Sequence, residues 1–189
     1  MACYLQGGNN LKKGTLILVI AIVCVFTIGI ISIVRNATLS PYDFLVKEME
    51  NDNARTPAEM LYQVNIDEGE YLIFYKDQRG IVACAIIKKK LLSYGLLRIS
   101  SGIWPTNSKD PADFLFSSYK YNKGRAWIFW GIVRDSSVAK VLFNGKETKI
   151  VEAKGLRICY TTGKASTSPT ELVYQLLDVQ GRPIFQNTD

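Results

Sequence analysis

The chain has 189 residues, with 23 lysines and arginines against 17 acidic residues, a formal net charge of +6 and no histidine. The lack of histidine excludes Ser-His-Asp and Cys-His nucleophile systems and histidine-containing zinc sites. The dinucleotide fingerprint G-x-G-x-x-G and the P-loop pattern are also absent from the sequence. We therefore predict that the protein is not an enzyme and that it binds no cofactor and no metal.

The first feature in chain order is an apolar segment, residues 15–34, which carries no charged side chain and is dominated by Ile, Val and Leu. As a helix it is about 30 Å long, which matches the hydrocarbon core of a bilayer. No A-x-A cleavage pattern follows it, and Arg35 stands where a signal peptide needs a small residue. The pattern predicts one transmembrane helix that acts as an uncleaved signal anchor.

The basic residues that flank this segment predict its orientation. Lys12 and Lys13 precede it, whereas Arg35 follows it and the next basic residue is Lys47. Because Lys and Arg are enriched on the cytoplasmic side, we expect a cytoplasmic tail, residues 1–14, and an extracellular C-terminal domain. The predicted location is the plasma membrane, crossed once.

Two helix-start patterns follow the anchor. Ser40 is a suitable N-cap with Pro41 at the first helical position, and Thr56 and Pro57 repeat the same arrangement. We expect two short helices that form a stalk or linker over residues 35–68.

From residue 69 to residue 189 the pattern changes to short β-branched and aromatic runs separated by turn residues. The Asn144-Gly145 pair tolerates the positive φ angles of a type I′ turn, so it predicts a two-residue hairpin. About ten short strands joined by tight turns favour an antiparallel β-sandwich or a rolled sheet over a βαβ fold. The predicted fold class is therefore mainly β. The clearest candidate strands are residues 95–100, 114–120, 127–133, 156–162 and 171–178.

One stretch, residues 117–130, alternates aromatic and basic side chains and is the candidate surface for a ligand or partner. Aromatic rings beside cations hold sugars and anionic polymers in many proteins. The alternative is a hairpin whose aromatic residues fill the core while its basic loop is solvated. The candidate residues are Tyr119, Lys120, Tyr121, Lys123, Arg125 and Trp127.

Two cysteines, Cys84 and Cys159, lie within predicted strands of the domain. They have two interpretations: one disulfide in an oxidising compartment, or two separate thiols that behave as small apolar residues.

Charge is unevenly distributed along the chain. Residues 43–77 carry 9 acidic and 3 basic residues, whereas residues 120–164 carry 10 basic and 3 acidic residues. These segments are either opposed solvated surfaces or, for the second, a basic face for an anionic partner such as phospholipid or a wall polymer.

The order of several segments is similar to a known group of proteins. The stretches "GEYLIFYKDQRGIVACAIIKK", "WIFWGIVRDSSVAKVLF", "AKGLRICYTT" and "YQLLDVQGRPIF" resemble uncharacterised small membrane-anchored or lipoprotein-like proteins of Gram-positive bacteria. The resemblance covers most of residues 69–186 and implies an envelope location and a β-rich C-terminal module, with no catalytic residues to transfer. The turn positions of the shared pattern are Gly131, Asp135, Gly155, Asp178 and Gly181.

Together these patterns predict a single-pass membrane protein that displays an extracytoplasmic β-rich module with a binding or accessory role. The expected partner is another membrane protein or an anionic envelope polymer, and no nucleic acid is expected. Two alternatives remain: an envelope enzyme that uses carboxylates in a cleft, and a structural subunit of a membrane complex.

Overall fold

The computed structural model describes residues 8–37, 39–52, 54–106, 109–121, 124–165, 169 and 172–187. The chain divides into two units. The first comprises residues 1–40 with 91–93, and the second, called here the sheet unit, comprises residues 41–90 and 94–189.

Helix α1, Gly8–Ala37, contains the apolar segment. Within it, Thr15–Ser32 is long and apolar enough to cross a membrane, by length and composition. Its described large apolar side chains are exposed, from Ile22 at 47% to Val25 at 70%, so they do not serve as the core of the described protein. The prediction of one N-terminal apolar helix is therefore confirmed.

Helix α2, Pro41–Glu48, begins at the predicted proline and has an acidic residue, Asp43, in its first turn, where the helix dipole favours a negative charge. Leu45 of the helix and Met49, which follows the helix, are buried against the first sheet. The helix therefore packs on the domain and does not form a free stalk.

The second predicted stalk helix, at residues 56–61, is wrong. Residues 57–67 form a strand, and the hydroxyl of Thr56 donates to the carbonyls of Met49 and Asp52 at 2.7 and 2.8 Å. The Thr-Pro pair thus closes the turn after α2, and pairing with the next strand overrides the local helix-start pattern.

The described residues of the sheet unit form twelve strands, all paired antiparallel. Three four-stranded sheets result, with orders β1-β2-β3-β4 (sheet A), β5-β6-β10-β9 (sheet B) and β12-β11-β7-β8 (sheet C). The strands are β1 Pro57–Asp67, β2 Glu70–Asp77, β3 Val82–Lys89, β4 Tyr94–Ile99, β5 Ala112–Tyr121, β6 Gly124–Val133, β7 Lys140–Phe143, β8 Lys146–Glu147, β9 Lys149–Ala153, β10 Leu156–Ala165, β11 Tyr174–Leu177 and β12 Pro183–Asn187.

The sheets stack in layers because their central strands are apolar on both faces. The core between sheets A and B includes Phe74, Trp130 and Tyr160, whose rings lie 5.5 and 5.6 Å from that of Phe74. The other face of sheet B packs on sheet C through Phe129 and Phe143, stacked at 4.1 Å. Helix α2 covers the other face of sheet A. The prediction of a mainly β, antiparallel fold is confirmed.

Two tight turns contain glycine at a position where the φ angle is positive. Asn144 and Gly145 have φ angles of 48° and 74° and join β7 to β8. Lys154 and Gly155, with φ angles of 52° and 76°, join β9 to β10 in the same way. Positive φ at both central positions is the signature of a type I′ hairpin.

Candidate functional site

The candidate site is a cavity at the end of the core between sheets A and B. Its volume is about 300 Å³, and we call it the pit. The turn between β1 and β2 forms one wall, and the ends of β5 and β10 form the other. Its lining residues are Ile66, Asp67, Glu70, Tyr119, Thr162, Gly163 and Lys164.

Glu70 lies in the pit because of strand alternation. Side chains two residues apart share a face, so Glu70 points the same way as the core residues Leu72 and Phe74. Its side chain is 1% exposed, and its Oε1 accepts a hydrogen bond from Lys88 Nζ at 3.2 Å. Its Oε2 is buried and has no hydrogen-bond partner among the residues that the structure describes. A buried acceptor without a donor costs free energy, so this oxygen favours a ligand that supplies one.

A second ion pair closes the rim of the pit. Lys164 of β10 pairs with Asp67 at the end of β1, which ties sheet B to sheet A. Lys164 is in register with Ala126, and Ala126 is in register with Tyr119, so these three residues share the face toward sheet A. The rim is therefore built from residues that are distant in sequence.

The charges of the pit cancel. Two carboxylates, Asp67 and Glu70, are each engaged by one lysine, Lys164 and Lys88. A site with no net charge and an unused buried acceptor suits a neutral ligand with hydroxyl or amide donors better than an ion. Thr162 adds a hydroxyl to the lining.

A second cavity, of about 250 Å³, lies beside Asp77 and differs in chemistry. The Asp77 carboxylate accepts from Arg79 Nη2 at 2.7 Å, from Arg79 Nε at 3.0 Å and from the amides of Arg79 and Ile81 at 2.8 and 3.0 Å. Because both oxygens are already engaged, this carboxylate organises the β2–β3 turn, and the cavity beside it is the weaker candidate.

The sequence-predicted aromatic surface requires a correction. Tyr119 is 7% exposed and lies in the core between sheets A and B. Trp127 lies on the opposite face of sheet B, with its ring 6.0 Å from Phe116 and 5.5 Å from Phe143. Strand alternation separates the two rings, so they do not form one stacking platform, and the core-filling alternative describes them.

The basic members of the predicted surface are placed differently. Lys120 and Arg125 are exposed and directly opposite each other on β5 and β6, one step beyond Tyr119 and the pit. Lys123 and the side chain of Tyr121 lie outside the described residues. Strand alternation turns both side chains to the face of sheet B that carries Trp127, which is opposite to the face that carries Tyr119 and the pit.

The two domain cysteines are free and lie in different cores. Cys84 belongs to the core between sheets A and B, and Cys159 to the core between sheets B and C. The disulfide interpretation therefore requires a correction, since sheet B separates the two side chains. Burial raises the pKa of both thiols, that of Cys159 to about 12.

Neither Glu70 nor Asp67 is among the candidate residues predicted from the sequence. The available signal was the period-two alternation from Glu70 to Leu72 and Phe74, which predicts an inward-facing carboxylate. Within the described ranges, no group of three or more acidic or cysteine residues is arranged to hold a metal ion. Comparisons with protein-family models, with curated proteins and with solved structures give no match to this chain.

Proposed function

We propose that the protein is a single-pass membrane protein whose sheet unit is an extracytoplasmic binding module and whose ligand enters the pit. The observation that carries the proposal is the buried carboxylate of Glu70, which lines a cavity of about 300 Å³ and whose Oε2 has no hydrogen-bond partner among the described residues. The apolar helix α1 supports the membrane location.

The ligand class follows from the chemistry of the pit. A hydroxyl-rich unit, such as one sugar of an envelope polymer, offers donors to Glu70 and acceptors to the lysines on the rim. The cavity lies at the small end of the range for ligand sites, so it accommodates one such unit.

The test is ligand-observed NMR on the full chain in nanodiscs, with glucose, N-acetylglucosamine and glycerol as probes. We expect saturation transfer to at least one sugar and a loss of about tenfold in affinity in Glu70→Gln, which replaces one acceptor by a donor. Thr162→Val provides a second pit variant that leaves the ion pairs intact and is expected to weaken binding less.

The matched control is Glu152→Gln, which removes an exposed carboxylate on β9. It is expected to bind like the parent chain. Equal signals from the parent, Glu70→Gln and Thr162→Val, or no transfer to any probe, contradict the pit as a ligand site.

A second candidate function is a carboxylate enzyme, which the location of Asp67 and Glu70 in one cavity favours. The pairing of each carboxylate with a lysine supports binding more than acid–base chemistry, because both groups are already engaged. Hydrolysis of a bound sugar polymer by the parent chain, lost in both Asp67→Asn and Glu70→Gln, is the result that would favour the enzyme.

A further inference from the structure

The loop between β3 and β4 differs from the other turns in being both apolar and basic. Leu91 is 95% exposed and Leu92 is 52% exposed, and the exposed Lys89 and Lys90 precede them. We call residues 89–92 the hairpin tip. Exposing two adjacent leucine side chains to water is unfavourable. Leucine beside lysine is typical of segments that enter a lipid interface.

The base of the hairpin tip is held in place. Lys89 is in register with Tyr94, and the amide of Lys89 donates to the carbonyl of Gly69 at 2.7 Å. The ring of Tyr94 lies 5.9 Å from Phe44 and 6.0 Å from Tyr71. The leucines are therefore presented on a packed base, and its tyrosines are residues that membrane interfaces favour.

The hairpin tip lies at the same end of the sheet unit as the pit. Lys88, the residue before the tip, pairs with Glu70 of the pit. Lys120 and Arg125 follow the pit residue Tyr119 in the ladder of sheet B and belong to the same end. Among the described residues at this end, the exposed cations are Lys89, Lys90, Lys120, Arg125 and Lys164, and the carboxylates are Glu68, Asp43 and Asp67, of which Asp67 pairs with Lys164.

The chain enters the sheet unit at this end. Helix α2 begins at Pro41, and its Phe44 packs against Tyr94 at this end. The helix runs toward the far end of β2, where the hydroxyl of Tyr75 lies 3.7 Å from the Sδ of Met49, the residue after the helix.

We propose that the hairpin tip contacts the leaflet from which α1 emerges, with Leu91 and Leu92 among the acyl chains and Lys89 and Lys90 at anionic headgroups. This inference rests on the proposed membrane span of α1 but is independent of the ligand of the pit. Each lysine at an anionic surface shifts the partition of the tip by roughly fivefold.

The experiment uses the full chain with Cys3→Ser and Cys24→Ser in nanodiscs that contain phosphatidylglycerol. A bimane label at Leu91→Cys reports lipid contact through quenching by doxyl-labelled lipid. The matched control is Val179→Cys, at another exposed apolar residue, 75% exposed, in the β11–β12 turn. The control position lies at the opposite end of the sheet unit from the pit. Its turn adjoins Ala139, near the Arg157 end of β10, whereas Lys164 at the other end of β10 lines the pit.

We expect strong quenching at Leu91→Cys, little at Val179→Cys, and a marked decrease at Leu91→Cys when Lys89→Glu and Lys90→Glu are added. Equal, low quenching at both positions in a chain that resists carbonate extraction overturns the lipid contact alone. If carbonate extracts the chain from the discs, both the membrane span and the hairpin-tip contact are contradicted. Sugar binding at the pit is then tested separately by its own experiment.

Discussion

At the residue scale, the pair of Glu70 and Lys88 combines stability with the candidate function. Glu70 is buried at 1% exposure of its side chain, whereas Lys88 retains 24%. A buried carboxylate is tolerated in a folded protein when a cation and hydrogen bonds compensate its lost hydration. The structure supplies one such partner and leaves the other oxygen without a hydrogen-bond partner among the described residues.

This pair gives a stability prediction. Lys88→Met removes the cation from a buried carboxylate and is expected to lower the free energy of unfolding by about 3–5 kcal/mol. The double variant Glu70→Leu with Lys88→Met is expected to recover most of that loss. Chemical denaturation of the sheet unit within the full chain, in detergent, measures both.

The control is Lys140→Met, which removes an exposed pair with Glu147 at 3.8 Å and is expected to cost less than about 1 kcal/mol. If Lys88→Met lowers the free energy of unfolding no more than this control does, the burial of the Glu70 carboxylate does not depend on its pairing with Lys88.

The buried thiols of Cys84 and Cys159 give a second residue-scale prediction, in alkali. Burial raises the pKa of both, so the folded state keeps each thiol neutral while the unfolded chain ionises it above about pH 8.5. Their contribution to stability is complete below that pH and is lost as the pH rises toward the folded pKa. Each thiol lowers the free energy of unfolding by up to about 1.4 kcal/mol per pH unit.

The measurement is denaturation of the parent chain and of the double variant Cys84→Ala with Cys159→Ala between pH 8 and 10. The variant is expected to be less stable at pH 8, since the substitutions leave small cavities, but to depend less on pH. Parallel pH dependence of the two proteins would contradict the assignment of this slope to the thiols.

At the element scale, helix α2 belongs to the sheet unit. Leu45 is fully buried against sheet A, so Leu45→Ala is expected to destabilise the sheet unit by roughly 2–5 kcal/mol. Lys47→Ala, on the exposed face of the same helix, is expected to change stability little. Denaturation of both variants tests this packing, and equal stability of the two would restore the view of α2 as a free stalk.

The sequence predicted those elements whose signals are local. Asn144-Gly145 and Lys154-Gly155 were identifiable because positive φ restricts the residue types that a turn accepts. Residues 57–67 were mistaken for helix because Thr56 and Pro57 satisfy a helix start, and pairing with β2 is not a local property. Strand alternation predicts that Tyr119 and Trp127 lie on opposite faces of their sheet. It does not predict which of these faces packs against sheet A and which against sheet C, because that depends on tertiary packing.

The pit is the part of the site that local patterns do not predict. The inward direction of Glu70 is readable from Leu72 and Phe74, whereas its proximity to Tyr119 and Lys164 depends on how sheet A meets sheet B. The mainly β, antiparallel class was predictable, because short apolar strands must bury their faces against other sheets. The number of layers was not predictable, since β6 is apolar on both faces and the sequence does not say whether a third sheet covers its second face.

At the scale of the whole molecule, the protein consists of an apolar helix and a layered β unit that carries a polar pit at one end. The proposed anchor, ligand site and hairpin tip all depend on the sheet unit standing on one side of a bilayer that α1 crosses. The modest excess of basic residues before α1 favours the outer side for the sheet unit.

The most direct test of this arrangement is labelling of intact cells with a membrane-impermeant maleimide. Two single-cysteine versions of the full chain are compared, one with Val179→Cys in an otherwise cysteine-free background and one that retains only Cys3. The account predicts that the Val179→Cys protein is labelled without lysis and that the Cys3 protein is labelled only after lysis. Labelling of the Cys3 protein alone in intact cells would place the sheet unit in the cytoplasm and contradict its display outside the cell.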